Sequence, residues 1–530
     1  MTPVESPPQY PVGVGNPARM GCHHQNVRPP GIQGGANSSP GGTLRAYDDG
    51  PNTTNAMMMS QSTPCSAAAP RGFPSAAMTI VPWQRTALLI LLAALLAGAV
   101  VAHRPVLVGV NAAITVFYLV TTLYRILLVD LSLRRRCEIV IDPDRLAEDR
   151  PVGEWPRYLV LVPVYKEGEI LPSLVDALGK LDYPAERLEI RLLIEEDDAE
   201  TMNAARRLEL APQFTIHPIP VSEPRTKPKA CNVGLEDTDA DLTVIYDAED
   251  RPEPDQLRKA ALAFEQVPDN VVCLQAKLNF YNPTRNLLTR WFTAEYALWF
   301  DLCLPALDTL QAPIPLGGTS NHFRVGVLRD IGGWDEYNVT EDCDLGLRLF
   351  MDGWRTRMIE STTWEQACPN LGFWIRQRSR WVKGYCQSYL VHTRNLFRAT
   401  RRLGLINSLH FHLLIGGTPF SQLVNPFYWA LAILWFTLRP EAIAAYFPGP
   451  VFAMAALCLF VGNFALAYAA GIACVRRGFG RLTFFGLTMP FYWAMMSYAA
   501  WKGFLQLIRR PHYWEKTHHF GEPLVTEGTR

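Results

Sequence analysis

Long apolar runs lie on both sides of a charged middle region, and they restrict the fold more than any other feature of the chain. Residues 86–102 carry no charge, and residues 106–129 carry only Arg125. A helix needs about 20 apolar residues to cross a bilayer, so we expect two crossing helices within residues 83–133. A buried hairpin of a soluble protein is the alternative, which the length of the runs disfavours. The basic triplet at residues 134–136 predicts that the following domain is cytosolic.

The chain becomes apolar again in residues 403–508, where we predict further transmembrane or interfacial helices before a short cytosolic tail at residues 509–530. Two basic pairs, at residues 476–477 and 509–510, both have the charge of cytosolic ends. They cannot both be cytosolic if one simple span separates them. Either a re-entrant segment lies between them, or one pair departs from the charge rule.

Composition predicts a disordered N-terminal tail and argues against a nucleic-acid partner and a structural zinc site. Residues 1–82 are rich in Pro, Gly, Ser, Thr and Asn and predict a disordered tail. The formal net charge is zero, so no nucleic-acid partner is expected. The cysteines form no Cys-x-x-Cys pair, which argues against a structural zinc site.

The middle region, residues 138–395, has the alternating pattern of an α/β domain. Short apolar runs rich in β-branched residues alternate with helical stretches, as in a doubly wound, mostly parallel sheet. The predicted strands cover residues 158–163, 188–194, 214–218 and 242–246. Ligands of such sheets lie beyond the carboxyl ends of the strands.

Acidic residues follow two of these predicted strands. Asp247 and Glu249 stand two positions apart, so both side chains can face one Mg²⁺ or Mn²⁺ ion. Glu195 and Glu196 end an earlier strand, where a carboxylate can accept hydrogen bonds from a ribose hydroxyl or a uracil N–H. The competing interpretation in each case is a solvated turn.

Three further segments carry polar groups suited to binding. Lys229 opens a predicted helix and can contact a phosphate, although it can equally be a surface lysine. Gly318 and Thr319 belong to a small, polar stretch that lets a ligand approach the backbone closely. A tight turn is the alternative for that stretch.

Residues 340–342, Thr-Glu-Asp, precede a helical pattern, with Thr340 as the predicted N-cap. Asp342 is our candidate for the general base that deprotonates an acceptor hydroxyl, with Glu341 beside it. The N-cap alone is a complete structural explanation, and the two interpretations are compatible.

Gln377, Arg380 and Trp381 share one face of a predicted helix. Arg380 can bridge diphosphate oxygens, and Trp381 offers a flat apolar surface to a pyranose ring. The neighbouring basic residues allow another interpretation, a basic and aromatic helix at the lipid headgroups.

These motifs, in this order, resemble the membrane-embedded family 2 glycosyltransferases, above all bacterial cellulose synthase catalytic subunits and related β-glucan synthases. The resemblance covers about residues 138–395 and the flanking spans. Residues 163–167 resemble the family's nucleotide-binding motif, residues 247–249 its D-x-D, residues 340–342 its T-E-D, and residues 377–381 its Q-x-x-R-W. The resemblance adds Pro163, Tyr165 and Glu167 to the expected nucleotide-sugar site.

The resemblance implies a GT-A fold, a Mg²⁺ or Mn²⁺ cofactor and inverting transfer from a nucleotide sugar, which we expect to be UDP-glucose. A growing polysaccharide would be the acceptor and would leave through a channel of flanking helices. The expected location is the bacterial inner membrane, in contact with lipid, and any regulatory or export partner would be a separate protein.

Two other functions remain open on the sequence. A non-processive enzyme would add one sugar to a lipid-linked acceptor, and product length would distinguish it. A catalytically silent export scaffold would not hydrolyse the donor. A glycoside hydrolase is disfavoured, because its paired carboxylates need neither a diphosphate metal site nor a membrane channel.

Overall fold

The computed structural model describes residues 73–515. Residues 1–72 of the predicted tail and residues 516–530 lie outside the described residues. The strands are β1 (Tyr158–Val164), β2 (Leu188–Glu195), β3 (Phe214–Ile219), β4 (Leu242–Ile245), β5 (Arg251–Pro252), β6 (Val271–Phe280), β7 (Asn321–Arg324) and β8 (Arg355–Glu365). The helices before β6 are α1 (Pro82–Val101), α2 (His103–Arg134), α3 (Pro143–Ala147), α4 (Leu171–Leu178), α5 (Ala199–Arg206), α6 (Lys227–Gly234) and α7 (Gln256–Gln266).

The remaining helices follow β6 and include most of the second apolar region. They are α8 (Leu287–Leu298), α9 (Leu304–Thr309), α10 (Val325–Asp330), α11 (Glu341–Met351), α12 (Leu371–His392), α13 (Leu396–Leu403), α14 (Leu405–Phe411), α15 (Gly417–Leu438), α16 (Glu441–Ala444), α17 (Gly449–Ala456), α18 (Asn463–Arg476), α19 (Thr483–Leu487) and α20 (Met489–Arg509). Wider π-type turns join α8 to α9, α14 to α15 and α17 to α18 without a break.

All eight strands belong to one sheet in the order β3-β2-β1-β4-β7-β6-β8-β5. The strands β3, β2, β1 and β4 run parallel, as do β6 and β8, whereas β7 is antiparallel to both of its neighbours. Along β1, Leu159 and Leu161 enter one apolar cluster, and Val160 and Val162 enter another. Both faces of the strand are therefore covered, as in a parallel sheet between layers of helices. The predicted fold class, an α/β domain with a mostly parallel sheet, is confirmed.

The parallel register brings the carboxyl ends of three strands to one edge of the sheet. Val164 at the end of β1 is paired with Ile194 of β2, and Leu161 is paired with Ile245 of β4. The acidic segments that follow β2 and β4 consequently lie near one another. This edge positions the candidate site.

Within residues 73–515, three helices are long and apolar enough to cross a membrane: Pro82–Val101, His103–Arg134 and Gly449–Arg476, each with a mean hydropathy of 2.0. α15 lies antiparallel beside α2. The order of their contacts shows this: Arg125 with Thr418, Tyr118 with Asn425, and Asn111 with Tyr428. These helices form the framework beneath the sheet.

The two basic pairs that conflicted on the sequence lie on the same side of the protein. Arg477 donates to the carboxylate of Asp301, at 2.9 Å, and to Thr362 in the α/β domain. α20 runs along α12, and the Pro511 carbonyl after it accepts a hydrogen bond from Gln387, at 3.1 Å. The chain between the pairs therefore returns to the domain rather than crossing away from it. Of the two alternatives, the structure supports a segment that does not span.

The chain packs against the domain from Phe73 onward, before the predicted end of the tail at residue 82. Phe73 and Ala76 are buried. Asp335 accepts hydrogen bonds from the Ser75 hydroxyl, at 2.8 Å, and from the Ala76 backbone N–H, at 2.6 Å. A short polar segment is thus ordered by one buried carboxylate, a contact that composition alone does not predict.

Candidate functional site

The segment after β4 places three carboxylates, those of Asp247, Glu249 and Asp250, in a small space. Asp247 accepts a hydrogen bond from Lys227, whose ammonium also donates to the Gly318 carbonyl at 2.7 Å. Asp250 is 1% exposed and accepts hydrogen bonds from the Asp247 backbone N–H and the Thr319 hydroxyl. Burial, together with the charges of its acidic neighbours, raises the pKa of the Asp250 carboxyl well above its usual range.

A fourth carboxylate, Glu365 at the end of β8, lines the same cavity. Burial and the three acidic side chains after β4 raise the pKa of Glu365 well above its usual range. Lys227 contacts Asp247 in this group. Burial lowers the pKa of Lys227, but the nearby carboxylates raise it more strongly. Lys227 therefore offsets part of the negative charge of this group.

The residues fit a divalent metal ion. Asp247 and Glu249 are partly exposed and line the cavity, and one carboxylate oxygen of Asp250 is buried without a hydrogen-bond partner. Among residues 73–515, no group of three His, Cys, Asp or Glu side chains is arranged as a complete metal site. Mg²⁺ commonly binds through one or two carboxylates plus water and phosphate oxygens. Asp247 and Glu249 are the residues that would hold it.

The N-terminus of α11 presents Glu341 and Asp342 to the cavity. One oxygen of Asp342 accepts a hydrogen bond from the Cys343 backbone N–H, at 2.7 Å. Burial raises the pKa of Asp342 to about 6, against the opposing effect of that hydrogen bond and of Lys227 and Arg380. Burial and the charge of Asp342 also raise the pKa of Glu341. An Asp with a pKa near neutrality is well matched to general-base catalysis.

α12 carries Gln377, Arg380 and Trp381, and all three line the cavity. The side-chain oxygen of Gln377 and the Nε of Arg380 are buried without hydrogen-bond partners within residues 73–515. Such atoms are costly to leave unpaired, so they are available to a ligand. Trp514 lies over the Arg380 guanidinium, 4.3 Å from it.

Arg378 has a supporting role that the sequence analysis did not assign. It donates to Glu295 and to the Tyr492 hydroxyl, and its guanidinium lies 4.4 Å from the Trp381 ring. The ion pair with Glu295 holds the Arg378 guanidinium in position, and the Trp381 ring packs against that guanidinium. In the sequence, the signal for this role was the position of Arg378 next to the motif, which also allows a basic and aromatic helix at the lipid headgroups.

The expected nucleotide-sugar residues divide into two groups. Pro163, Tyr165, Glu167 and Glu195 line the cavity, as do Gly318 and Thr319. Glu196 is exposed beside it, with its backbone N–H bonded to Ile219. The structure therefore brings Glu195, but not Glu196, to the cavity, because successive side chains at a strand end point to opposite sides.

Lys229 does not line the cavity. Its ammonium is buried and donates to Glu195, at 3.0 Å, and to the Pro220 carbonyl, at 2.9 Å. Lys227 occupies the cavity instead. Residues two apart on a helix point in nearly opposite directions, and the sequence offers no means of choosing which lysine faces inward.

The cavity has a volume of about 590 Å³ and continues from these residues into the helices below the sheet. Its lining there is polar rather than fully apolar: Tyr118, Thr122 and Arg125 on α2, Gln422 and Asn425 on α15, and Asn463 on α18. One space thus connects the carboxylates at the sheet edge to the membrane-type helices.

Comparison with known proteins identifies the domain. Residues 242–448 match a family model described as glycosyl transferase family group 2. Over these residues the chain is similar to the family 2 glycosyltransferases. The match confirms the predicted resemblance, and it covers the segment from β4 through α16, including the carboxylates after β4, α11 and α12.

Curated relatives of the family 2 domain are similar over about half of this chain. The probable glycosyltransferase YdaM of Bacillus subtilis (strain 168) is 25% identical over 274 residues, which are 49% of this chain and 62% of that protein. Glucomannan 4-beta-mannosyltransferase 2 of Arabidopsis thaliana is 26% identical over 250 residues, which are 45% of this chain and 46% of that protein. The chain thus spans less than two thirds of the length of these relatives.

Among solved structures, the mannosyltransferase PcManGT from Pyrobaculum calidifontis, in complex with GDP-Man and Mn²⁺, is similar with a TM-score of 0.47 and 19% identity. The similarity covers 76% of this chain and 99% of that one.

Proposed function

We propose that the protein is a processive, inverting β-glycosyltransferase that polymerises a nucleotide-activated hexose and passes the glycan across a membrane. The observation that carries the proposal is the single cavity joining the carboxylates at the sheet edge to a polar lining between α2, α15 and α18. An enzyme that adds one sugar to a lipid-linked acceptor has no need of a polar path between the helices, and a silent export scaffold has no need of the carboxylates at one end of it.

The reaction follows from the positions of the side chains. Asp342 removes the proton of an acceptor hydroxyl, and the oxygen attacks the anomeric carbon from the side opposite the leaving diphosphate, which inverts that carbon. Lys227 and Arg380 lie where they can stabilise negative charge on the diphosphate. Asp247 and Glu249 would hold Mg²⁺ or Mn²⁺, which when bound neutralises part of that charge.

A polar stripe on α2 supports passage of a glycan. Asn111, Thr115, Tyr118, Thr122 and Arg125 recur every three or four residues, so they lie on one face of the helix. At 1.5 Å per residue the stripe is about 21 Å long, against about 30 Å of hydrocarbon in a bilayer. Polar groups facing lipid are costly, whereas hydroxyl and amide groups facing a sugar chain are well matched to it.

The outer part of this path is closed by hydrogen bonds between α2 and α15. Tyr118 donates to Asn425, at 2.6 Å, and this pair lies at the limit of the cavity along α2. Beyond it, Tyr428 donates to Asn111, at 2.8 Å, and Asn111 donates to the Tyr446 carbonyl, at 3.1 Å. We call these contacts the outer closure, and a growing chain would separate them.

Two donors are consistent with the proposal. UDP-glucose is the donor expected from the resemblance to cellulose synthases. The plant relatives are named mannosyltransferases, which favours GDP-mannose as the second candidate. The polar residues that line the cavity are suited to diphosphate and hydroxyl groups, which both donors possess.

The proposed location is a bacterial inner membrane with the family 2 domain on the cytosolic side. The basic residues after α2 and at the end of α18 support that orientation. The expected partners are the nucleotide sugar, the growing polysaccharide, membrane lipid and a separate regulatory or export protein.

The test uses inverted membrane vesicles supplied with Mg²⁺ and either radiolabelled UDP-glucose or radiolabelled GDP-mannose. We expect one donor to give a high-molecular-weight product that a specific β-glucanase or β-mannanase digests. Asp342→Asn should abolish it, whereas Asp352→Asn, an exposed position at the other end of α11, should not. A product carrying a single added sugar would refute processivity, and unchanged synthesis by a folded Asp342→Asn protein would refute the assigned base.

A further inference from the structure

Two short helices between α12 and α15 leave large apolar side chains exposed. On α13, Leu396 and Phe397 are 51% and 80% exposed, and on α14, Leu405 and Ile406 are 82% and 74% exposed. A group of large apolar side chains with this much exposure marks an interaction site. We call residues 395–411 the α13–α14 elbow.

The elbow is also strongly basic. Residues 394–411, which are the elbow and the residue before it, include four arginines and no acidic residue. On α13, Ala399 and Leu403 are buried, and Arg398 and Arg401 lie on the opposite side of the helix from them. Phe397 also lies on that outward side, so the exposed face of α13 carries basic and large apolar side chains together, as segments in the plane of a membrane interface do.

Two of the four arginines hold the elbow to the rest of the protein. Arg394 donates to the Ser75 carbonyl, at 3.0 Å, and the Arg402 guanidinium lies 5.0 Å from the Phe73 ring. Arg398 and Arg401 are exposed, and within residues 73–515 no hydrogen bond or ion pair engages their guanidinium groups. These two cations therefore face outward, available to an anion.

The elbow is continuous with the helices assigned to the membrane. His410 of α14 is hydrogen-bonded to the Tyr124 hydroxyl of α2, at 2.7 Å. α15 then begins at Gly417 and exposes Phe427 and Ile433, at 58% and 65%, along its outer side. The apolar surface of the elbow thus meets the surface that would face lipid tails, on the side of the family 2 domain.

We propose that the α13–α14 elbow binds anionic phospholipid, with Arg398 and Arg401 on the headgroup phosphates and with Phe397, Leu405 and Ile406 inserted among the acyl chains. The inference rests on the membrane placement in the proposed function. A guanidinium group matches phosphate oxygens in a two-point geometry. The exposed apolar residues favour a phospholipid over a soluble phosphate compound, because only a phospholipid has acyl chains among which they can insert.

The test is native mass spectrometry of the full chain released from vesicles containing equal amounts of phosphatidylglycerol and phosphatidylcholine. We expect the protein to retain phosphatidylglycerol in preference to phosphatidylcholine. In Arg398→Gln/Arg401→Gln the preference should fall by about fivefold per arginine, as ~1 kcal/mol per basic residue at an anionic surface implies. Arg398→Lys/Arg401→Lys should keep most of it.

The matched control is Arg206→Gln/Arg207→Gln, another exposed pair of arginines, which lies at the end of α5. It should leave the lipid preference unchanged. Equal retention of the two lipids by the unaltered protein would overturn the proposal, as would equal losses in the two double variants. The measurement requires no sugar transfer, so a failed glycosyltransferase assay and a failed lipid assay remain distinguishable.

Discussion

Lys227 and Lys229 stand two positions apart on α6 and have different roles. The first contacts Asp247 and the Gly318 carbonyl within the cavity, and the second is buried behind it against Glu195. The sequence predicted a lysine at the start of this helix but selected Lys229. Side chains two positions apart on a helix point to nearly opposite sides, so only one of the two lysines can face the cavity. Which one does so depends on how the helix packs against the sheet, and the sequence does not reveal that packing.

Replacement of each lysine should separate chemistry from stability. Lys227→Ala removes a cation from the cavity, and we expect kcat/KM for donor turnover to fall roughly 10²-fold. Lys229→Ala leaves the Glu195 carboxylate buried without its ion pair, which typically costs about 3–5 kcal/mol. Nucleoside diphosphate release and thermal denaturation in detergent measure the two effects. The reverse assignment, with activity lost in Lys229→Ala and only stability lost in Lys227→Ala, would contradict the geometry.

The pH dependence should report the Asp342 carboxyl. Burial raises its pKa to about 6, and a general base acts only when deprotonated, so kcat/KM should be level above that pH and fall tenfold per unit below it. Lys227 lowers this pKa, so Lys227→Ala should move the acid limb to higher pH. A limb near pH 4 in the unaltered protein, or no displacement in the variant, would argue against Asp342 as the base.

At the scale of elements, α11 and α12 are joined by polar contacts away from the cavity. Asp344 of α11 accepts a hydrogen bond from His392 of α12, at 2.8 Å, and is held in place by Arg348 of its own helix, which donates to it at 2.7 Å. The segment before α11 adds a bond from Asn338 to Ser388, at 3.0 Å. These contacts set the distance between the base on one helix and the Gln, Arg and Trp side chains on the other.

Loss of the contact between the helices should impair turnover more than donor binding. His392→Leu keeps the approximate volume but removes the hydrogen bond to Asp344, so kcat should fall by about 10- to 100-fold with little change in the donor KM. His392→Gln restores a donor and should recover most of the rate. Steady-state kinetics with both variants decide the matter, and an increase in KM alone would show that the pair does not position the base.

Much of the domain could be predicted at this scale, and α20 shows where prediction stopped. The parallel strands and α12 follow from periodicity, because one face or both faces of each are buried. Residues 482–508 are long enough for a span, yet α20 lies along α12 and is not among the three described helices that are apolar enough to cross a membrane. Its apolar face is buried against protein, where Tyr492 is fully buried beside Trp374 and Gly503 is close to the Ser379 carbonyl. Length alone therefore overestimated the number of spans, because a long helix can bury its apolar face against protein instead of lipid.

At the scale of the whole molecule, the site depends on residues that are far apart in the chain. Lys227, Glu365 and Trp514 line one cavity with the predicted motifs, but none belongs to a motif that could be recognised. Sequence patterns identified the site residues that lie at an acidic strand end or near the start of a helix. The remaining residues reach the cavity only through the sheet order and the return of the chain after α20.

Weakening the outer closure should change how synthesis begins. In Tyr118→Phe/Asn425→Leu the hydrogen bond between α2 and α15 is lost, so we expect a shorter lag before steady polymer formation at an unchanged donor KM. Thr437→Ala provides a control, because the Thr437 hydroxyl bonds only within α15. Incorporation of radiolabelled sugar against time gives the lag, and equal lags in the three proteins would show that these contacts do not limit the start of synthesis.

The position of the outer closure also has a consequence for the sizes of the products. The first few sugars occupy the cavity without cost, but the next must separate Tyr118 from Asn425 and then Asn111 from Tyr428. Once a chain has passed these contacts, each further addition meets no comparable obstacle. Abandoned chains should therefore be oligosaccharides of nearly uniform, short length, and the chains that pass should grow long, so that the product distribution has two separate maxima.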